Sequence, residues 1–116
     1  MARKRASHIR VIPSSGNVFA DLGFAEPEEE LTKAQLATQI RQIIKRRRLT
    51  QRAAAVVVGV DQPKVSALMN GRLANFPSDR LMRMLTALGQ DVEIVVKERA
   101  VPLERGSIRV VAEAHA

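Results

Sequence analysis

The chain has 116 residues, a formal net charge of +7, and 46% hydrophobic against 3% aromatic residues; this gives room for one aliphatic core, since single domains cluster near about 100 residues. It has no cysteine, tryptophan or tyrosine, which excludes a disulfide framework, a thiolate metal site and a cysteine nucleophile, and suits a reducing, cytoplasmic setting. The longest run of small and apolar residues, 53–60, is too short for a membrane span of about 20 residues, and Ser7, His8 and Arg10 stand where an export signal needs an apolar stretch.

Residues 1–20 combine Arg3, Lys4, Arg5 and Arg10 with the turn-forming cluster Pro13-Ser14-Ser15-Gly16 and show no sustained periodicity, which predicts a basic arm and linker over 1–26. From Pro27 the pattern becomes helical. Proline suits a first turn, Glu28, Glu29 and Glu30 complement the positive helix end, and residues 32–35 offer a cap for a restart. Leu36, Ile40, Ile43 and Ile44 then recur at helical spacing, and Lys45-Arg46-Arg47-Arg48 stands at the negative end, so the first helix is expected to run to about residue 48.

Thr50 is a good N-cap for a short second helix reaching Val58, although Val56-Val57-Val58 has strand propensity. Gly59 ends it, and Asp61 caps a third helix with Gln62 and Pro63 in its first turn. Asn70-Gly71 closes that helix. After the Phe76-Pro77 loop, Ser78 is the expected cap of a fourth helix, with Leu81, Met84, Leu85 and Leu88 as its core stripe and Gly89 as its end. The period then changes: Val92, Ile94 and Val96 alternate with Glu93, Val95 and Lys97, and Ile108, Val110 and Ala112 alternate with Arg109, Val111 and Glu113. The expected architecture is mainly α, a four- to five-helix bundle over residues 27–90, with one or two short C-terminal β-strands in a dimerisation segment over 91–116. The link over residues 99–106 is long for a tight hairpin, so pairing within the chain and pairing across a dimer both remain open.

Residues 51–70 form a twenty-residue unit of helix, corner and helix. For two short helices to cross closely, small residues must lie at the crossing and apolar ones must anchor the second helix from below. Ala54, Ala55 and Val58 supply the first requirement, Gly59 the corner, Val60 the plug behind it, and Val65 with Leu68 the anchor. The opposite side then carries Gln62, Pro63, Ser66, Ala67 and Asn70, flanked by Lys64 and Met69, a short polar face of the kind that reads a DNA groove. Charge coincides with the motif: residues 41–83 hold ten Lys/Arg against Asp61 and Asp79, whereas residues 21–30 hold five acids and no base. A basic block of this kind points to a polyanionic partner.

The stretches Leu49-Thr50-Gln51, Gly59-Val60-Asp61-Gln62-Pro63-Lys64-Val65-Ser66 and Asn70-Gly71-Arg72 resemble the phage repressor and Cro (XRE) type of helix-turn-helix over roughly residues 36–90. The resemblance implies double-stranded DNA as partner, with Gln51 on a phosphate and Gln62, Lys64, Ser66 and Asn70 at or near base edges and backbone. Pro63 and Ala67 depart from the longer polar residues common at such slots, which leaves more of the recognition to DNA shape or to the arm. Arg52 and Arg72 flank the reading helix and are the expected phosphate contacts. For Lys45-Arg46-Arg47-Arg48, phosphate contact and neutralisation of a helix end weigh equally. A homodimer is expected, since one short helix carries little sequence information, and the segment over 92–96 is its candidate interface.

The outer pieces, Gly16-Asn17-Val18-Phe19-Ala20-Asp21-Leu22-Gly23 and Asp91-Val92-Glu93-Ile94-Val95-Val96, resemble the antitoxin-like branch, similar to the host-inhibition-of-growth antitoxins. That resemblance implies a repressor of its own operon with a small ribonuclease toxin as partner, and an alternative in which masking the toxin is the main task. Glu28, Glu29 and Glu30 would be the acids to meet a basic toxin. An enzyme is not expected, and no cofactor is called for: His8 and His115 lie near opposite ends of the chain, and Asp91 with Glu93, which would share a strand face able to hold a metal, fits strand-edge solubility better.

Overall fold

The computed structural model describes residues 9–11, 27–101 and 105–113. Their elements are β1 (Ile9–Val11), α1 (Pro27–Arg46), α2 (Gln51–Val58), α3 (Gln62–Met69), α4 (Ser78–Ala87) and β2 (Val111–Glu113). The mainly helical architecture agrees with the sequence reading. Arg3, Lys4, Arg5, His8, the turn cluster 13–16, the stretch 16–23 and His115 lie outside the described residues.

α1 starts at Pro27 with Glu28, Glu29 and Glu30 in its first turn, so its exposed amides meet negative charge. No restart occurs near Thr32. With no proline or glycine in the way the helix continues, and the Thr32 hydroxyl donates back to the Glu28 carbonyl at 2.9 Å. The helix also ends earlier than expected, at Arg46. The Leu49 amide donates to the Ile44 carbonyl at 3.0 Å, and Arg48 takes the left-handed conformation at φ 55°. Leu49, turned back in this way, packs against the core, as the apolar residue after such a closure commonly does.

The two central helices are capped as their sequence dictates. The Thr50 hydroxyl accepts from the Ala53 amide at 3.0 Å, and the Asp61 carboxylate accepts from the Lys64 amide at 3.0 Å. Gly59 and Gly71 provide the left-handed closures, at φ 74° and 75°; Asn70, at φ −99°, stays right-handed. The strand propensity of Val56-Val57-Val58 loses to these local signals.

α4 departs in one detail. Pro77, not Ser78, is the N-cap, and no side chain caps the helix; the Pro77 carbonyl accepts from Arg80 and Leu81 at 3.0 and 3.2 Å, which puts Ser78 inside the first turn. Phe76, read from sequence as loop, is buried. A turn in which its amide donates to the Leu73 carbonyl at 3.0 Å brings the residue onto the core. That core joins Leu36, Ala37, Ile40, Ile43 and Ile44 to Ala54, Ala55, Val65, Leu68, Leu81, Met84, Leu85 and Leu88. Val58 and Val60 pack on it only in part, and α1 lies chiefly against α4.

After α4 the expected strand over 92–96 does not form within the chain. Val92 packs on the core, while Ile94, Val95 and Val96 are exposed and, among the described residues, have no strand beside them. The later alternation yields only β2, which pairs antiparallel with β1 in the register Ile9 with Glu113, Arg10 with Ala112 and Val11 with Val111; Ile9–Val11 lies in the segment read as an arm. Just before β2, the Val110 amide donates to Gln35 Oε1 on α1 at 3.3 Å. Arg105 reaches Glu28 at 3.5 Å, so this segment runs along the first half of α1.

Arg48 occupies a backbone position that glycine fills at the ends of α2, α3 and α4, and a non-glycine residue there costs about 1 kcal/mol. Arg48→Gly is therefore expected to raise the free energy of unfolding by about that amount, read from urea midpoints at unchanged slope. A lowered midpoint would show that the arginine side chain contributes more than its backbone conformation costs.

Candidate nucleic-acid interface

The unit that presents the predicted site residues is α2, the corner 59–61 and α3. On α3, Val65 and Leu68 are 0% exposed, and Ala54 and Ala55 of α2 lie buried in the same core. With those positions turned inward, Gln62, Pro63 and Asn70 are exposed, and Lys64, Ser66 and Ala67 are half-buried on the flanks. Gln51 is half-buried at the start of α2, next to exposed Arg52, and Arg72 is exposed just past α3. All eight predicted residues thus belong to one helix-corner-helix surface with its adjoining turn.

Two local bonds refine their roles. Asn70 Nδ2 donates to the Ser66 carbonyl at 2.8 Å, which commits its amide nitrogen to the last turn of α3. The Asp61 carboxylate is held by the Lys64 amide, so the acid at the start of α3 serves as a cap. At the start of α2, the first helical amides and the Arg52 guanidinium make a setting for an anion.

Lys45, Arg46, Arg47 and Arg48 are all exposed, immediately before the Thr50 cap. Arg47 stands apart from the others: a Cβ placed on Gly89 would lie 3.2 Å from its Nη2, so its guanidinium covers the end of α4 as well as following α1. A cation there meets the negative ends of two helices. For Arg47 the geometry favours the helix-end role.

The residue that sequence reasoning missed is Arg41. From the middle of α1 its Nη1 donates to the Leu68 carbonyl at 3.1 Å and its Nη2 to Thr38 Oγ1 at 3.0 Å. It fastens the last turn of α3 to α1 from beneath. The available signal was a cation next to Ile40 and one turn before Ile44, and nothing local tells that its partner lies 27 residues away.

Among the described residues no group of three or more His, Asp or Glu side chains is placed to hold a metal ion, and no helix is long and apolar enough to cross a membrane. Residues 18–97 match a family model described as a helix-turn-helix domain. A solved structure assigned by its description to the XRE family of transcriptional regulators is 47% identical, with a TM-score of 0.72, over 75% of this chain and 98% of that one. No curated protein matches.

Replacing Arg41 with Met keeps the stem and removes both donors. The Leu68 carbonyl retains a bond from the Gly71 amide at 3.1 Å, so the loss is that of a charged hydrogen bond without an orphaned acceptor, about 1 to 2 kcal/mol. Arg41→Met is expected to cost that much in urea unfolding and to speed hydrogen exchange at the amides of Asn70, Gly71 and Arg72 more than at those of α4. Equal acceleration in α4 would show general loosening in place of a local fastening.

Proposed function

The chain belongs to the helix-turn-helix domain family, in the XRE group of DNA-binding transcriptional regulators, and from that premise we propose that it is a sequence-specific repressor acting on double-stranded DNA as a homodimer, through α2, the corner and α3. The observation that carries this reading is the division of α3: Val65 and Leu68 are fully buried, while Gln62, Pro63 and Asn70 are exposed on the other side. A short helix held from behind with polar groups in front fits the major groove, where side-chain amides and cations distinguish base pairs. Occupying a promoter excludes polymerase sterically, an output that needs no further surface.

The DNA-facing residues divide by chemistry. Gln62, exposed at the first position of α3, presents an amide able to pair with adenine N6 and N7. Lys64 and Ser66 lie on the flank, Asn70 offers its carbonyl oxygen near the backbone, and Gln51, Arg52 and Arg72 meet phosphates. Pro63 offers no hydrogen bond to a base, so the shape of the DNA carries part of the specificity. Two copies reading half-sites about 34 Å apart supply the rest.

Masking of a basic toxin has less support. It would draw on the acidic start of α1, where Glu28 already holds Arg105 at 3.5 Å and Glu30 holds Lys33 at 3.7 Å.

Positioning residues and reading residues carry different signatures. Arg52→Ala or Arg72→Ala should weaken cognate and random DNA alike and flatten the salt slope by about 1 for every phosphate that each subunit no longer neutralises. Gln62→Ala should cost about 1 to 3 kcal/mol on the cognate site, with random DNA and the slope unchanged. Titration of both DNAs across a salt series decides; equal weakening on both for Gln62→Ala, or relaxed base preference for Arg52→Ala, would reverse the assigned orientation of α3.

A further inference from the structure

The apolar residues left uncovered after α4 form a segment that is complementary to itself. Ile94, Val95 and Val96 are 76%, 67% and 92% exposed, and among the described residues no strand pairs with them. Such a β-branched run, unpaired and facing water, is a template for another strand. Only Val92, at its start, packs on the core.

Resting on the homodimer reading above, we infer that residues 91–99 pair antiparallel with the same residues of a second copy, about a two-fold axis through Val95. In that register residues whose numbers sum to 190 face one another. Asp91 meets Arg99 of the second copy, Glu93 meets Lys97, and Ile94 meets Val96. Both charged pairs are of opposite sign, and by symmetry each occurs twice. In the neighbouring even registers Glu93 or Lys97 would face Val95 instead, and only one kind of charged pair remains.

The two faces of the paired strands also sort correctly. Side chains alternate along a strand, so Ile94 and Val96 share the face of Val92, whose side chain packs on the core. Asp91, Glu93, Val95, Lys97 and Arg99 fall on the other face. The pairing thus extends each core with Ile94 and Val96 and carries its charges on the outside; Glu98, on the core face, sits at the end of the seam. Glu93 and Arg99 already make polar interactions within the chain, so the dimer exchanges partners for them. The second copy is the occupant that this distribution of charge specifies, because on the outer face Asp91 and Glu93 at one end and Lys97 and Arg99 at the other match an antiparallel strand of the same pattern.

The chain has no cysteine, so an introduced one is a unique probe. Facing residues in an antiparallel pair have Cα atoms about 4.5 to 5.5 Å apart, within reach of a disulfide. Val95→Cys treated with diamide should give a covalent dimer in high yield, whereas Val101→Cys, also exposed at 54%, should not. Glu93→Lys and Lys97→Glu should each raise the dimer dissociation constant about tenfold by sedimentation, and the double variant should return it to within about twofold of the parent. Urea midpoints check that each variant folds. If the protein is a dimer but Val95→Cys fails to link and the double variant is no better than the singles, the seam is overturned while the homodimer stands. If the parent sediments as a monomer alone and on DNA, both fail.

Discussion

Val65 and Leu68 are the only fully buried side chains of an eight-residue helix, and a helix that short is marginal in water on its own account, because nucleation costs more than so few hydrogen bonds return. α3 therefore holds its shape by what it rests on. Burying two aliphatic side chains contributes about 3 to 6 kcal/mol, and both act on the same side, so the helix is pinned along a line about which it can still rock. Arg41 addresses that freedom by holding the Leu68 carbonyl at the far end. If the polar surface of α3 reads bases as proposed, to within a hydrogen-bond length, it needs that second restraint as much as the first.

The same shortness explains why the helix ends are so fully furnished. α2 and α3 each have a side-chain N-cap and a left-handed glycine close behind their last turn. In an eight-residue helix most of the amides and carbonyls belong to one end or the other, so caps that would trim the edges of a long helix satisfy a large share of the backbone here. α4 does without a side-chain cap, and it carries a buried apolar stripe, Leu81, Met84 and Leu85 followed by Leu88. Packing and capping substitute for one another along the chain.

This division also governs what could be read from the sequence. Thr50, Gly59, Asp61 and Gly71 were legible because a cap acts on residues three or four positions away, and the stripes of α1 and α4 were legible because one helix carries the whole pattern. Ser78 misled because it looks like a cap, yet the backbone of Pro77 had already taken that position. Phe76, Arg41 and Val110 were not legible: each finds its place through a partner from another element, and no local preference encodes Gln35 beneath Val110 or Leu68 above Arg41. The alternation over 92–96 was legible as a pattern and its partner was not, since alternation records two unlike faces and says nothing of who pairs with the edge. The outward set of α3 followed from knowing its inward set, which is why the candidate site was legible as soon as Val65 and Leu68 were.

The placement of charge adds a step that neither the fold nor the motif contains. α1 has 20 residues, about 30 Å at 1.5 Å per residue, with Glu28, Glu29 and Glu30 at one end and Lys45 and Arg46 at the other. At physiological salt, screening acts over about 8 Å, so the acids do not offset the cations in the field that a DNA backbone would meet. Part of the acidic charge is also engaged locally, on Arg105 and Lys33, in pairs worth little to stability. The helix thus separates the charges and leaves the positive end beside the start of α2. If α2 and α3 meet DNA as proposed, a duplex approaching this molecule would experience a torque that turns that surface toward it before any base is touched, and association would gain in rate from an arrangement that adds little to the fold.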